Sequence, residues 1–185
     1  MVAQRFARLV SLACHDLRTP LATVNGFAKT LTRGGTLGER EDRFVGLITS
    51  AADQMAGLLD MLALAARIES DRYEPVLAPA DTLELAASAD ERIASEGSGE
   101  TVETDVTALR SALESLARCA AVYGGLTRVT WRVDGRRLTL SPLGESAEVV
   151  TGDSPRDLGA LVARLAIEQL GGTLALDGDS LLVVL

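Results

Sequence analysis

The stretch Ser11-Leu12-Ala13-Cys14-His15-Asp16-Leu17-Arg18-Thr19-Pro20-Leu21 holds the only histidine in a chain of 185 residues. Around it, apolar residues fall at Phe6, Val10, Ala13, Leu17, Leu21, Val24, Ala28 and Leu31. Steps of three and four make this the seam of an amphipathic helix that packs on other helices. With Val10 and Leu17 at a and Ala13 at d, His15 takes position f, pointing away from the seam. The spacing therefore displays the imidazole to solvent. Thr19 lies four residues on, along nearly the same face, and Arg18 flanks it at three. Asp16 is next in sequence, where a carboxylate can hold one ring nitrogen protonated and leave the other as nucleophile. Pro20 removes a backbone donor and is expected to bend the helix one turn past the imidazole. Period alone does not separate a catalytic histidine on that face from an idle one.

Working outward, the first helix is expected from about Ala3 to Arg33, stopping at Gly34-Gly35. A second begins after Glu39-Arg40-Glu41 and carries a heptad seam at Phe44, Ile48, Ala51, Met55, Leu58 and Leu62. It should run to about Ile68, ahead of the polar run Glu69-Ser70-Asp71. Two long helices joined by a short glycine-containing loop form an antiparallel hairpin. One hairpin cannot bury both seams, and a second copy completes a four-helix bundle, so a homodimer is expected.

Composition narrows the partners. The formal net charge is -8 and the isoelectric point about 4.7, which argues against nucleic acid and anionic membrane. By the length of its apolar runs the chain offers no membrane span of ~20 residues, and charges through the first turns exclude a signal-peptide pattern. Two cysteines, Cys14 and Cys119, are too few for a disulfide framework and read as small hydrophobes of a reducing compartment. A cytoplasmic location follows as the expectation. Aromatics are 3% of residues, so the core must rest on Leu, Ala and Val.

Past Pro75 and Pro79, read as a hinge, heptads give way to mixed elements. The pattern predicts a helix over Asp81–Ala94, a loop at Glu96–Glu100, and a short strand over Thr101–Thr104. A helix capped by Asp105 should run to Tyr123 and close at Gly124-Gly125. Thr127–Val133 and Arg137–Leu140 read as a hairpin turning at Asp134-Gly135. A strand is expected over Ala147–Thr151, then a helix from Pro155 to Leu170, then strands Thr173–Leu176 and Leu181–Leu185. Trp131 is expected in the core. The fold class is α+β: a hairpin over residues 1–74 forming a dimeric four-helix bundle, then a small α/β sandwich over 80–185.

At residues 15–21 the chain resembles the phosphoacceptor box of bacterial sensor histidine kinases, His-Glu/Asp-Leu-Arg-Thr-Pro-Leu, without a break. The run Leu58–Glu69, ending Ala-Ala-Arg-Ile-Glu, looks like the close of the same family's dimerisation hairpin. The resemblance implies phosphorylation of His15 through Nε2, with Asp16 as acid/base partner. It implies that Thr19 positions water when phosphate is removed from a partner, and that Arg18 and Pro20 belong to the partner-binding surface. It also implies response-regulator receiver domains as partners. Few residues precede the first helix, so any input is expected to be cytoplasmic or absent.

The second half is similar in order and spacing to the family's ATP-binding domain, but the working residues differ. In the stretch matching the N box, Ser115 and Cys119 stand where the family has Asn, Cys119 at the Mg²⁺-binding position, and Val122 stands for Lys. Where the Asp-x-Gly box should follow the strand at 137–140, the chain reads Ser141-Pro142-Leu143-Gly144. The Gly-x-Gly box is reduced to Asp157-Leu158-Gly159, with negative charge at a helix start that a phosphate would need. A soft, buried thiol does not replace an oxygen ligand for Mg²⁺. A lost charge-assisted contact costs typically ~1.5–3 kcal/mol. ATP binding is therefore not expected. The chain should bind no cofactor of its own, Mg²⁺ being supplied by the response regulator. The favoured reading is a histidine phosphotransferase relaying phosphoryl groups between response-regulator aspartates through His15. The alternatives are a histidine kinase with a divergent ATP site, phosphorylated by itself or in trans, and a non-catalytic scaffold or regulator phosphatase.

Overall fold

The computed structural model describes residues 2–33, 38–154 and 156–185, with the side chains of 2–9, 11–13 and 16 outside the description. It divides into two compact units, Met1–Arg72 and Tyr73–Leu185. The expected helix stop at Gly34-Gly35 and the expected first-turn role of Pro155 lie outside the described residues.

The first unit is a hairpin of two long helices, α1 (Val2–Arg33) and α2 (Glu39–Glu69). Pro20 sits inside α1 without ending it; having no N–H, it leaves the Asp16 carbonyl without its helical donor. Acidic residues Glu39, Glu41 and Asp42 occupy the first turn of α2 and Arg67 the last, each sign suiting the helix dipole. After α2 the chain leaves through Asp71, a non-glycine residue at φ 53. Its N–H donates to the Ile68 carbonyl, and Arg72 N–H to that of Arg67, in the manner of a left-handed helix end.

The buried strip differs from the one the spacing suggests. On α2 it is Val45, Ala52, Leu59 and Ala66, one residue per heptad. On α1 it is Cys14 and Ala28, with Leu21 half-buried between them. Phe44, Ile48, Met55 and Leu58 on α2 are exposed, as are Leu17, Val24 and Leu31 on α1. Each helix thus carries two adjoining apolar strips. Small residues line the one inside the hairpin because they let the helices approach closely, and a search for large apolar residues finds the other.

The second unit packs helices on one face of a five-stranded mixed sheet. Its strands are β1 (Leu77–Asp81), β2 (Ile93–Gly99), β3 (Thr101–Asp105), β4 (Val129–Gly135), β5 (Arg137–Ser141), β6 (Thr173–Asp177) and β7 (Ser180–Val184). The large sheet has the order β2-β4-β5-β7-β6, parallel between β2 and β4 and antiparallel elsewhere. β1 and β3 form a separate antiparallel pair. The helices are α3 (Thr82–Ala86), α4 (Val106–Tyr123), α5 (Ala147–Val150) and α6 (Leu158–Gln169). Trp131, Val133, Leu138, Leu140, Leu181 and Val183, alternating inward along β4, β5 and β7, meet Leu109, Leu113, Leu116 and Ile167 from the helices, all 1% exposed or less.

Four expectations are corrected here. The helix read over Asp81–Ala94 is a single turn, Thr82–Ala86, capped by the Asp81 carboxylate, which accepts from Leu83 N and Glu84 N. Residues 87–92 are turns and irregular chain, and β2 takes in Ala94 and most of the segment expected as the loop Glu96–Glu100. Its polar, glycine-rich end is held by parallel pairing to β4, where a Cβ on Gly97, at φ 118, would collide with the Val133 carbonyl. The segment read as a strand over Ala147–Thr151 is the helix α5, because Val149 and Val150 are buried from a helical turn. Pro79, read as a hinge, lies within β1, where a residue without an N–H is tolerated because the strand has one neighbour.

Candidate functional site

His15 is exposed on α1, one residue on from Cys14, which is 1% exposed in the hairpin seam. Helical geometry turns the imidazole about 100° from that seam. Thr19 is exposed one turn further on, and its carbonyl accepts from the Thr23 hydroxyl at 3.1 Å. Pro20 is exposed beside it. Asp16 follows His15 in the helix; its acid/base role falls on a side chain outside the description. Arg18, expected on the partner-binding surface, donates to the Asp60 carboxylate of α2 at 2.7 Å. One turn away from the box, Asn25 Nδ2 donates to Asp53 at the same distance. The sequence reading singled out neither Asp60 nor Asp53; each faces α1 only once the hairpin's register is known.

In the second unit the residues at two of the three departed motifs come together around the start of α6, while the loop at 141–144 lies against the end of α4 at Gly124. The Asp157 carboxylate caps that helix, accepting from Ala160 N at 2.8 Å. A Cβ on Gly159 would come within 3.2 Å of the Ser115 Cβ, so the helix start lies directly against α4. Cys119 is buried on α4, and burial, reinforced by the nearby charge of Asp157, pushes its thiol up to about 12. The loop after β5 holds a carboxylate that the linear motif lacks. Asp179, from the β6–β7 turn, accepts from Leu143 N at 3.1 Å and Gly144 N at 2.8 Å, so its charge is spent on the chain's own backbone. Trp131 is fully buried in the core, as expected, and its indole N–H has no partner among the described residues. No group of three metal-ligating side chains occurs among the described residues.

A third acidic site is structural. Burial alone would raise the Asp105 carboxyl, but hydrogen bonds from Ala108 N, the Tyr73 hydroxyl, Val76 N and Thr107 N outweigh it and hold it below the ordinary range. It ties the start of the second unit to the cap of α4.

A long helical hairpin displaying a histidine, followed by an α/β sandwich of this strand order, is the architecture of a histidine kinase's phosphoacceptor and ATP-binding domains. Residues 7–71 match the family model described as the His Kinase A (phospho-acceptor) domain. Full-length ShkA, solved in complex with AMPPNP, is similar at 21% identity and a TM-score of 0.65, over 95% of this chain and 44% of that one. The Acinetobacter baumannii histidine kinase AdeS is similar at 17% identity and a TM-score of 0.54, over 91% and 94%. No curated protein matches. The hairpin therefore matches a His Kinase A phosphoacceptor domain, and the chain has the fold of these histidine kinases, its second unit that of their ATP-binding domain. It spans less than half the length of ShkA.

The membrane expectation turns on α2. Among the described residues α2 is long and apolar enough, by length and composition, to cross a membrane. Its two apolar strips raise the average without forming one uncharged run, for Asp53 and Asp60 lie midway and bond to α1.

Proposed function

We propose that the chain is a cytoplasmic histidine phosphotransferase of two-component signalling, working as a homodimer. His15 Nε2 attacks the phosphorus of a receiver's aspartyl phosphate. The P–O bond to the receiver carboxylate breaks, that carboxylate leaves with the electron pair, and a P–N bond forms. Asp16 keeps the proton on Nδ1, so the neutral tautomer presents its lone pair at Nε2. The reverse transfer delivers the phosphoryl group to a second receiver. Catalysis is mainly positioning, with Mg²⁺ carried by the receiver. Arg18 and Pro20 border the docking surface, and Thr19 orients water where the receiver is instead dephosphorylated.

The observation that carries this reading is an exposed His15 within a matched phosphoacceptor domain, followed in the chain by a nucleotide-type fold whose motif positions carry other groups. The acid at the α6 start uses the amide that a phosphate would take. Cys119 offers a protonated thiol where a hard cation needs oxygen. Asp179 is engaged by backbone amides. The exposed apolar strips of α1 and α2 support dimerisation.

Incubation with a phosphorylated receiver should place acid-labile phosphate on His15, and His15→Ala should abolish it. Incubation with labelled ATP and Mg²⁺ alone should leave the protein unlabelled; labelling of His15 under those conditions would favour a kinase with a divergent site. Receiver dephosphorylation that survives His15→Ala but not Thr19→Ala would favour a phosphatase.

A further inference from the structure

The two interhelical polar bonds of the hairpin stand in one register. One heptad forward along α1 leads from Arg18 to Asn25, and one heptad back along α2 leads from Asp60 to Asp53. That single step carries the first bond onto the second. At about 100° per residue, Arg18 and Asn25 fall between the buried Cys14 strip and the face of His15. The opposite flank is the exposed apolar one.

The buried strip cannot choose this register by itself. Cys14, Leu21 and Ala28 on α1 recur every seven residues, as do Ala52, Leu59 and Ala66 on α2, so a slip of one heptad presents much the same surface. The polar pairs do discriminate. Slipped one way, Arg18 meets Asp53 but Asn25 meets Gly46, which has no side chain. Slipped the other way, Asn25 meets Asp60 while Arg18 meets Arg67, like charge on like. Only the observed register satisfies both.

We propose that Arg18–Asp60 and Asn25–Asp53 form a two-rung register lock that sets the height of His15 along α2, with Asp60 and Asp53 as positioning residues. The ion pair is 45% and 70% exposed at its two ends and contributes little to stability; its effect is selection among registers. Asn25 fits this role, since its Oδ1 is buried with no partner among the described residues, a cost that packing alone gives no reason to keep. A heptad slip moves α1 by about 10 Å along its partner, so a receiver reading both helices would lose the imidazole. That last consequence rests on the phosphotransfer reading; the lock does not.

The test uses the full chain with spin labels on Thr30→Cys and Gln54→Cys, both exposed positions, diluted into unlabelled protein so that one hairpin per dimer is read. The parent should give one narrow distance. Asp53→Ala with Asp60→Ala should broaden it or add a second population, with helical content unchanged by circular dichroism. Asp53→Asn with Asp60→Asn, which keeps both acceptors, should restore the narrow peak, as should the swap Arg18→Asp with Asp60→Arg. An Ala pair indistinguishable from the parent overturns the lock, and so does an Asn pair as broad as the Ala pair. Receiver-to-His15 transfer should fall several-fold in the Ala pair and recover in the Asn pair. If the parent itself accepts no phosphate, the phosphotransfer reading fails while the distances still judge the lock.

Discussion

The two units bury different things. In the hairpin the largest apolar side chains (Leu17, Val24, Phe27, Leu31, Phe44, Leu47, Ile48, Met55 and Leu58) are exposed, and the buried ones are Cys14, Val45, Leu59 and several alanines. In the α/β unit the order is reversed: Trp131 and the leucines are inside, and few large apolar residues are out. One unit holds a finished core and the other holds half of one. In the proposed homodimer the hairpin's stability would be a property of two chains, whereas the sandwich has a core of its own.

The largest expected effect breaks the unfinished half. Met55→Lys with Leu58→Glu removes two side chains worth about 1.5–3 kcal/mol each on burial, in both copies at once. Sedimentation should show the dimer lost and circular dichroism a fall in helix, while Trp131 fluorescence stays native. The converse is Leu116→Ala in the sandwich, where cavity formation costs about 2–5 kcal/mol. The Trp131 melt should drop by many degrees with the dimer mass unchanged. Loss of both signals in either variant would mean that the units do not fold independently.

Thiol chemistry sharpens the contrast. Burial holds the Cys119 thiol protonated at neutral pH, far below its shifted pKa of about 12, and Cys14 is 1% exposed. Neither should react with a thiol reagent in the native dimer. On stepwise denaturation Cys14 should react with the loss of helix and Cys119 with the loss of the Trp131 signal; simultaneous reaction at low denaturant would remove the distinction.

The smallest effect is of pH. The Asp105 carboxyl is held low in the folded state, so its contribution is present above the ordinary carboxylate range and lost as pH falls through the folded value. The Trp131 melting temperature should therefore decline on acidification below about pH 4, and Asp105→Asn should flatten that decline by a few degrees. An unchanged acid slope in the variant would assign the decline to other groups.

Much of this was legible in the chain, where local signals and packing agree. Both long helices, the Asp105 cap of α4, and the strand pairs β4–β5 and β6–β7 all announce themselves by period, cap or turn glycine. The histidine's exposure was readable because one residue's rotation from a seam is a local fact. What was missed depends on distant partners. β2, Ile-Ala-Ser-Glu-Gly-Ser-Gly, has no strand signature of its own and exists because β4 pairs with it. The inner strip of the hairpin hid among alanines, so the seam that stood out was the one facing outward. Asp60 and Asp179 were invisible as site residues because their partners lie 42 and 35–36 residues away in the chain.

The carboxylate of Asp157 has a consequence for the history open to this fold. It caps α6, and such a cap is worth about 0.5–2 kcal/mol against alanine but only a few tenths against glycine. A glycine in its place would free the Ala160 amide for an anion at little cost to the helix. The step between a self-capped helix and an anion-accepting one is therefore shallow in either direction.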